Sequence, residues 1–390
     1  MESNQTGIVT PAAAHLAGGQ RAGKTALVLS GGGSRGAYEC GVWQAVTELG
    51  IRIDMVVGVS VGALNGAMVV QGDPVRTSNL WRRIETDNVF DVAADAQLPD
   101  YAAEFLKQGG ASSAPLQDLV KEYLDEPLIR SLPVDFGLLT VEVPSMKPHY
   151  LWKEDIPEGK LGDYVVASAS AFPAVQPIQI DGKYYVDGGF ENVMPVHMAA
   201  DRGATKVIAV YLKAVGKYLP EEEHVVEDTT LISPNWDLGS FLVFDRENSS
   251  RIMRLGYLDA MKAFEIYDGE SYAFAKGAFE KKVLPQAEAA ARIFELDPLI
   301  LYRRMSFLST LLDAVVDAGT ELVQTVFSKE QGWEHAMALF KQVNKKTATL
   351  LIARNLQEAG NSSLFSLVRP PKALQEQVRA ARFLVAQGLI

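Results

Sequence analysis

Two apolar runs near the start of the chain are each followed by a glycine-containing turn and then by a helical pattern. The first run, Ala26-Leu27-Val28-Leu29, precedes Ser30-Gly31-Gly32-Gly33-Ser34-Arg35-Gly36. The second run, Met55-Val56-Val57, precedes Gly58-Val59-Ser60-Val61-Gly62. A short strand–loop–helix–strand unit of this kind joins parallel strands by a right-handed crossover. The pattern therefore predicts an α/β fold with a parallel sheet.

The second turn is a G-x-S-x-G pattern. Gly58 and Gly62 leave room for a strained backbone, so Ser60 can lie on a sharp strand-to-helix turn. The following helix directs its positive end at Ser60. The glycine-rich loop can direct several backbone N–H groups at one point, as an oxyanion hole requires. Together the two turns predict a serine acyl hydrolase, and a purely structural turn is the alternative reading of Ser60.

Two nucleotide-binding patterns overlap this region, and their context disfavours both. Gly31–Gly36 fits G-x-G-x-x-G, but a dinucleotide-dependent oxidoreductase needs an acidic residue at the end of the second strand. That strand ends in Gly58-Val59-Ser60, and Asp54 lies at its beginning. Gly18–Thr25 fits the P-loop pattern, but it follows a polar tail and opens a strand. Lys24 is therefore expected to be solvated.

The residue that activates Ser60 is harder to find. The chain has five histidines, His15, His149, His197, His224 and His335. None has a clear acidic partner in sequence, and only His197 lies near another motif. Asp187 closes an apolar strand and precedes Gly188-Gly189, and a partly buried carboxylate with a raised pKa can act directly as a general base. The alternative is a simple Asp-Gly turn like that predicted at Asp181-Gly182, and the residues alone leave both open.

Composition excludes some classes of protein. The 390 residues are 48% hydrophobic, which allows a full core, and the net charge of −11 disfavours a nucleic-acid partner. The single cysteine, Cys40, precludes an intrachain disulfide and is predicted to be a small buried hydrophobe. No apolar run could span a membrane, and residues 1–24 lack a secretory pattern. We therefore expect a cytoplasmic protein.

Three regions are predicted: a mobile tail over 1–24, an α/β hydrolase domain over 25–215 and a helical region over 216–390. Strands are expected to stop near Val215. Helices are predicted over 246–266, 271–294, 298–327, 332–360 and 371–387. Asp313, Asp317 and Glu321 form an acidic stripe, which favours a packed helix with this face in water over a protein-contact surface. The apolar side of 375–390 could cover the acyl site or a neighbouring subunit.

Four features, in order, resemble the patatin-like phospholipase family. They are the glycine loop, Gly58-Val59-Ser60-Val61-Gly62, Ala169-Ser170-Ala171-Phe172-Pro173 with Pro177, and Asp187-Gly188-Gly189 followed by Asn192 and Pro195. The resemblance covers about residues 25–215. It implies a three-layer fold, with a mainly parallel central sheet flanked by helices, and here an α-helical C-terminal extension. Ser30 stands where many members carry Asp, which is expected to affect loop packing more than chemistry.

The resemblance also implies a Ser–Asp dyad without histidine, with Ser60 as nucleophile and Asp187 as general base. The oxyanion hole would use the amides of Gly32, Gly33 and Ser34, helped by Gly31, with Arg35 supporting the loop or the developing charge. The motif glycines are Gly36, Gly58, Gly62, Gly188 and Gly189.

The implied activity is hydrolysis of lipid esters, of phospholipase A or lysophospholipase type, with no metal and no organic cofactor. Expected partners are an acyl-ester substrate, a membrane surface contacted peripherally, and a second copy of the chain bound through the C-terminal helices. No nucleic acid is expected. A catalytically silent regulatory or scaffold protein of the same fold is the alternative.

Overall fold

The structure, a computed structural model, describes residues 23–91, 110–327, 344–359 and 370–390. Nearly all of the predicted tail, together with His15 and His335, lies outside these residues, and the helix predicted over 332–360 is described only from residue 344. The helices are α1 Ala37–Glu48, α2 Val61–Gln71, α3 Pro74–Trp81, α4 Ala114–Tyr123, α5 Glu126–Ser131, α6 Leu161–Ser168, α7 Val196–Asp201, α8 Arg246–Ala263, α9 Leu284–Ile293, α10 Arg304–Phe327, α11 Lys345–Ala359 and α12 Gln375–Ala386.

Among the described residues, eight strands form a central sheet. They are β1 Lys24–Leu29, β2 Met55–Val59, β3 Asp135–Val143, β4 Lys147–Trp152, β5 Ile178–Ile180, β6 Lys183–Asp187, β7 Ala204–Val210 and β8 Asp228–Ile232. The order is β5-β6-β3-β2-β1-β7-β8, with β4 also paired to β3. The run β3-β2-β1-β7-β8 is parallel throughout, and β4, β5 and β6 pair antiparallel. The predicted crossover and the Asp181-Gly182 hairpin are both confirmed.

Helices cover both faces of this sheet, which explains the unbroken apolar runs 26–29 in β1, 55–57 in β2 and 207–210 in β7. Successive side chains of β1 point to opposite faces. Ala26 and Val28 pack with α7 on one face, whereas Leu27 and Leu29 lie in the larger core with α1, α2, α6 and α8 on the other. The predicted three-layer α/β fold class is confirmed. Cys40 is buried in the larger core, as predicted, and burial raises the pKa of its thiol to about 11.

The prediction that strands stop near Val215 was wrong. β8 extends the central sheet beside β7, and α8 packs closely along α1 because Gly41 and Gly256 bring the two backbones together. The short strands β9 Tyr267–Asp268, β10 Ala273–Ala275 and β11 Leu301–Tyr302 form a second sheet. Helices were predicted across β10 and β11, because two or three residues are too few to show a strand period. The domain division at residue 215 stays a prediction.

A second hydrophobic core lies in the C-terminal region. The aromatic rings of Phe274, Phe279, Phe307 and Phe383 pack edge to face at its centre. α10 buries one side there and leaves Asp313 and Asp317 exposed, whereas the side chain of Glu321 lies outside the described residues. α12 buries its apolar side in the same core, and none of its residues lines the cavities at Ser60 described below. No helix of the described ranges is long and apolar enough to cross a bilayer.

Candidate active site

Ser60 occupies the sharp turn between β2 and α2. Its backbone has φ 57° and ψ −128°, a conformation that side-chain-bearing residues adopt only under constraint. Two contacts supply the constraint. The Ser60 N–H donates to Ser168 Oγ at 3.0 Å, and Gly62 lies so close to the Leu29 carbonyl that any Cβ would collide with it. The turn is therefore held from both sides, against α6 and against β1.

Strand pairing explains how Asp187 comes to lie beside Ser60. On β3, Leu139 pairs with Val59 at the end of β2, and the next residue, Thr140, pairs with Asp187 at the end of β6. β4 occupies the other edge of β3, so β2 and β6 share one edge and meet end to end. Ser60 and Asp187 line the same cleft, and the Ser60 hydroxyl lies close enough to the Asp187 carboxyl to favour its ionised form and so lower its pKa. Two residues far apart in sequence thus become neighbours.

The Asp187 carboxyl is only 7% exposed, and its burial has an electrostatic consequence. Burial raises the pKa of Asp187 from 3.8 to about 6, although the hydrogen bonds from Ser60 and from Gly189 N–H act in the opposite direction. The Gly189 N–H lies 2.7 Å from Oδ1 and fixes the carboxylate orientation. The group is therefore ionised near neutral pH and close enough to its pKa to accept a proton.

The glycine loop presents fewer free amides than the motif suggested. The N–H groups of Gly31, Ser34 and Arg35 donate to the carbonyls of Val193, Phe241 and Gly32, respectively. Within the described part of the chain, the N–H groups of Gly32 and Gly33 make no such bond. Of the five residues expected to stabilise the oxyanion, Gly32 and Gly33 are therefore the two whose backbone N–H groups are available.

The shape of that loop depends on a segment that follows the central sheet. Gly33 has φ +56° and lies against the Phe241 carbonyl, where any side chain would collide. The Ser34 hydroxyl donates to the Ser240 carbonyl at 2.7 Å. Arg35 donates to the carbonyls of Gly239 and Lys213 at 3.0 and 3.1 Å. Of the two roles considered for Arg35, these bonds match support of the loop.

The remaining motif residues have packing roles. Gly36, Gly58 and Gly188 each lie where an added Cβ would strike a neighbouring group. The Ser30 hydroxyl accepts a hydrogen bond from Leu212 N–H and donates to the Gly31 carbonyl. Its hydroxyl therefore links the loop to the end of β7.

Two histidines have acidic partners that the sequence did not reveal. His197 Nδ1 lies 2.6 Å from Glu222, which raises the pKa of His197 and lowers that of Glu222. His149 Nε2 lies 3.0 Å from Glu142. Neither histidine lines the cavities at Ser60, whereas Asp187 lines the same cleft as Ser60.

The C-terminal end of α6 and the residues just after it hold both Ser60 and Asp187, and the sequence analysis singled out only the residues after the helix. Ser168, which is fully buried, accepts from Ser60 N–H and donates to the Leu139 carbonyl at 2.7 Å. The Ser170 carbonyl accepts from Asp187 N–H at 2.9 Å. Ser170 belongs to the motif noted in the sequence, but Ser168 precedes it and carries no local signal beyond its place at the end of a helix.

Two spaces meet at Ser60. One is a narrow pocket of about 100 Å³ between α2, α3, α4 and α6. The other is an open cleft of about 610 Å³ that also contains Asp187 and the glycine loop. The described residues hold no cluster of three or more side chains suited to binding a metal ion. The geometry brings together a serine hydroxyl, a buried carboxylate and unengaged amides, with space on two sides of Ser60.

Comparison with known proteins bears on this site directly. Residues 27–200 match the sequence model of the patatin-like phospholipase family, and this span includes both Ser60 and Asp187. The chain contains a patatin-like phospholipase domain. The resemblance drawn from the four motifs is therefore confirmed, and the match spans the patatin-like domain from β1 into α7.

The known relatives are much longer than this chain. Patatin-like phospholipase domain-containing protein 7 of Mus musculus is 28% identical over 188 residues, covering 47% of this chain and 13% of the relative. Patatin-like phospholipase domain-containing protein 6 of Homo sapiens is 24% identical over 339 residues, covering 83% and 21%. The crystal structure of VipD from Legionella pneumophila aligns with a TM-score of 0.42 at 13% identity, covering 94% of this chain and 91% of that one.

Proposed function

We propose that the protein is a serine acyl hydrolase that cleaves carboxylic esters of lipids, of phospholipase A or lysophospholipase type. The observation that carries the proposal is the placement of Ser60 beside a buried Asp187 carboxylate in one cleft, where burial raises the pKa of Asp187 to about 6. A base with a pKa near the working pH is ionised, yet basic enough to take a proton. The patatin-like domain supports lipid esters as the substrate class.

In the proposed reaction, Asp187 takes the hydroxyl proton as Ser60 Oγ forms a bond to the ester carbonyl carbon. The tetrahedral intermediate collapses, the carbon–oxygen bond to the alcohol breaks, and the proton on Asp187 passes to the departing alkoxide. An acyl-Ser60 remains. Water then attacks its carbonyl with Asp187 again as base, the bond to Oγ breaks, and Ser60 recovers its proton.

The negative charge of the tetrahedral intermediate needs fixed donors. The unengaged N–H groups of Gly32 and Gly33 are the candidates, and the first turn of α2 adds the positive end of its dipole beside Ser60. Removing one oxyanion donor typically costs ~2.7–4 kcal/mol of transition-state stabilisation. The amides of Gly31, Ser34 and Arg35 are occupied and in this proposal maintain the loop conformation.

Surface features support the two other proposed partners. Phe172, Phe190 and Val215 are exposed, and all three line the open cleft, which suits peripheral contact with a lipid surface. On the C-terminal helices, Leu312, Val316 and Leu351 are also exposed, which suits contact with a second copy of the chain.

Hydrolysis of a medium-chain p-nitrophenyl ester by the full chain, with Ser60→Ala and Asp187→Asn, tests the dyad. Both variants should lose turnover while keeping the circular dichroism spectrum. Asp181→Asn is the matched control, because Asp181 lies in the same β5–β6 hairpin with its side chain 66% exposed. It should keep wild-type activity. Full activity in Asp187→Asn would remove Asp187 as the base.

A fluorophosphonate probe tests the nucleophile separately. It should label the wild-type chain and leave Ser60→Ala unlabelled. His197→Ala, made with folding checked, should still be labelled, because His197 is paired with Glu222 away from the cleft. Loss of labelling in a folded His197→Ala protein would favour a histidine base instead.

A further inference from the structure

The narrow pocket begins at Ser60 and follows one face of α2. Ser60, Leu64 and Ala67 all line it, and their spacing of four and then three residues puts them on the same side of the helix. Met68 lines it further along. With a rise of 1.5 Å per residue, the eight residues from Ser60 to Met68 span about 12 Å. The pocket is therefore deep and narrow.

The wall of this pocket is apolar almost throughout. Its other lining residues are Gly33, Val61, Asn65, Thr77, Leu80, Trp81, Ile84, Val89, Phe90, Leu116, Leu119, Val120, Tyr123, Leu124, Val165, Ala169 and Phe244. The two polar side chains nearest its middle are engaged. Asn65 bonds the Gly36 carbonyl, Glu39 and the Trp81 indole N–H, and the Thr77 hydroxyl donates to the Asp73 carbonyl. Such a wall offers water no partner and suits an apolar ligand.

The open cleft on the other side of Ser60 differs in character. It holds Asp187 and the glycine loop, and it reaches solvent past the exposed side chains of Phe172 and Val215. Phe90 and Ala169 line both spaces, so they form the neck between them. A substrate whose carbonyl carbon lies at Ser60 would have one substituent in each space. The polar alcohol suits the larger cleft, which holds Asp187 and the glycine loop, and the acyl chain suits the smaller apolar pocket.

A single layer of side chains from the C-terminal part of α4 and the residue after it closes the far end of the pocket. Val120, Tyr123 and Leu124 line the pocket on one side and a separate surface cleft of about 680 Å³ on the other. Tyr123 is half-buried, and Arg76 stacks on its ring from outside, 4.8 Å from the ring centre. Removing this ring would connect the pocket to the outer cleft.

We infer that the pocket is the acyl-chain site and that its closed end selects one unbranched acyl chain of medium length. An extended chain advances about 1.2 Å per bond, as in an extended peptide whose three bonds span up to roughly 3.6 Å. A depth of about 12 Å therefore holds up to roughly ten bonds, so octanoyl and decanoyl chains, which have fewer carbon–carbon bonds than this, fit and longer chains do not. The inference rests on the proposed function, because it assigns the acyl side of the Ser60 site.

Ester kinetics across acyl lengths provide the first arm of the test. For the wild-type chain, kcat/KM on p-nitrophenyl esters should rise up to about four-fold per added methylene, because each buried methylene contributes about that factor. The rise should end near the octanoyl or decanoyl ester. Ala67→Leu narrows the pocket, so its optimum should move to shorter chains. Tyr123→Ala opens the end, so its optimum should move to longer chains.

Val69→Leu is the matched control. Val69 lies on the same helix, is partly buried and does not line the pocket, so the variant should keep the wild-type profile. If Ala67→Leu fails to fold, Tyr123→Ala still tests the inference. Tyr123 is half-buried and the substitution adds no atoms, so the variant does not overpack the core.

Binding to Ser60→Ala provides the second arm and does not depend on catalysis. Calorimetry with fatty acids of the same lengths should give the same optimum, shifted in the same directions by adding Ala67→Leu or Tyr123→Ala. That result supports the acyl-chain assignment of the pocket even if the wild-type chain cleaves no ester. In that case the proposed hydrolase function fails and the assignment of the pocket stands. Ser60-dependent hydrolysis with a flat length profile, or with a profile that neither variant shifts, would overturn the acyl-chain assignment and leave the hydrolase proposal standing.

Discussion

Replacing Asp187 by asparagine should stabilise the folded protein at neutral and alkaline pH, although it removes the proposed base. Burial raises the pKa of Asp187 from 3.8 to about 6, so the folded chain binds this proton more tightly than the unfolded chain. Ionising the buried carboxyl therefore costs folding free energy. At 1.36 kcal/mol per pKa unit, the cost is about 3 kcal/mol.

The sign of the pH dependence follows from linkage. Well below the unfolded pKa, both states carry the proton and the cost is absent. As the pH rises between the two pKa values, only the unfolded state releases it, so the stability of the wild-type protein falls. Above about pH 6 the full cost is present. Asparagine stays neutral and keeps an oxygen that can accept from Gly189 N–H, so the variant avoids the cost without losing that hydrogen bond.

Urea unfolding of the full chain measures the difference, with Trp43 and Trp81 as buried fluorescent reporters in the larger core region. Asp187→Asn should be more stable than wild type by about 3 kcal/mol at about pH 8, and by less than about 1 kcal/mol at about pH 4. The surface control Asp181→Asn should change stability by a few tenths of a kcal/mol at most, because exposed ion pairs contribute little. An equal gain at both pH values, or no gain at the higher one, would refute the reasoning.

Two further predictions concern catalysis. The kcat/KM for ester hydrolysis should fall about ten-fold per pH unit below about pH 6 and level off above it, because Asp187 must be ionised to act as base; a profile that stays flat down to about pH 4 would contradict this. Ser168→Ala should lower kcat roughly ten- to a hundred-fold with KM little changed, because the Ser60 N–H loses its partner at a cost of about 1–3 kcal/mol. Ser168→Thr keeps a hydroxyl and should restore most of the rate, whereas equal losses in both variants would argue against the positioning role.

Features that depend on local chemistry were predictable from the sequence. The glycines around Ser60 permit the strained turn wherever it forms, and the two apolar runs imply parallel strands by the crossover rule. The Asp181-Gly182 hairpin follows from the same kind of short-range signal. The short strands β9, β10 and β11 and the later strand β8 were not predictable, because two to five residues carry little periodicity and their pairing partners lie elsewhere in the chain.

The sequence by itself determined the sharp turn at Ser60, the glycine loop and the fold class, because each depends on neighbouring residues or on a short crossover. Only the tertiary structure decided how these parts work together. From the sequence, Asp187 could equally be a simple turn residue. In the structure, β6 pairs with β3 directly beyond the end of β2, and this pairing buries the Asp187 carboxyl beside Ser60. The same holds for the oxyanion donors, since the carbonyls of Val193 and Phe241 occupy the amides of Gly31 and Ser34. Burial and long-range hydrogen bonds arise from packing, which no local pattern encodes.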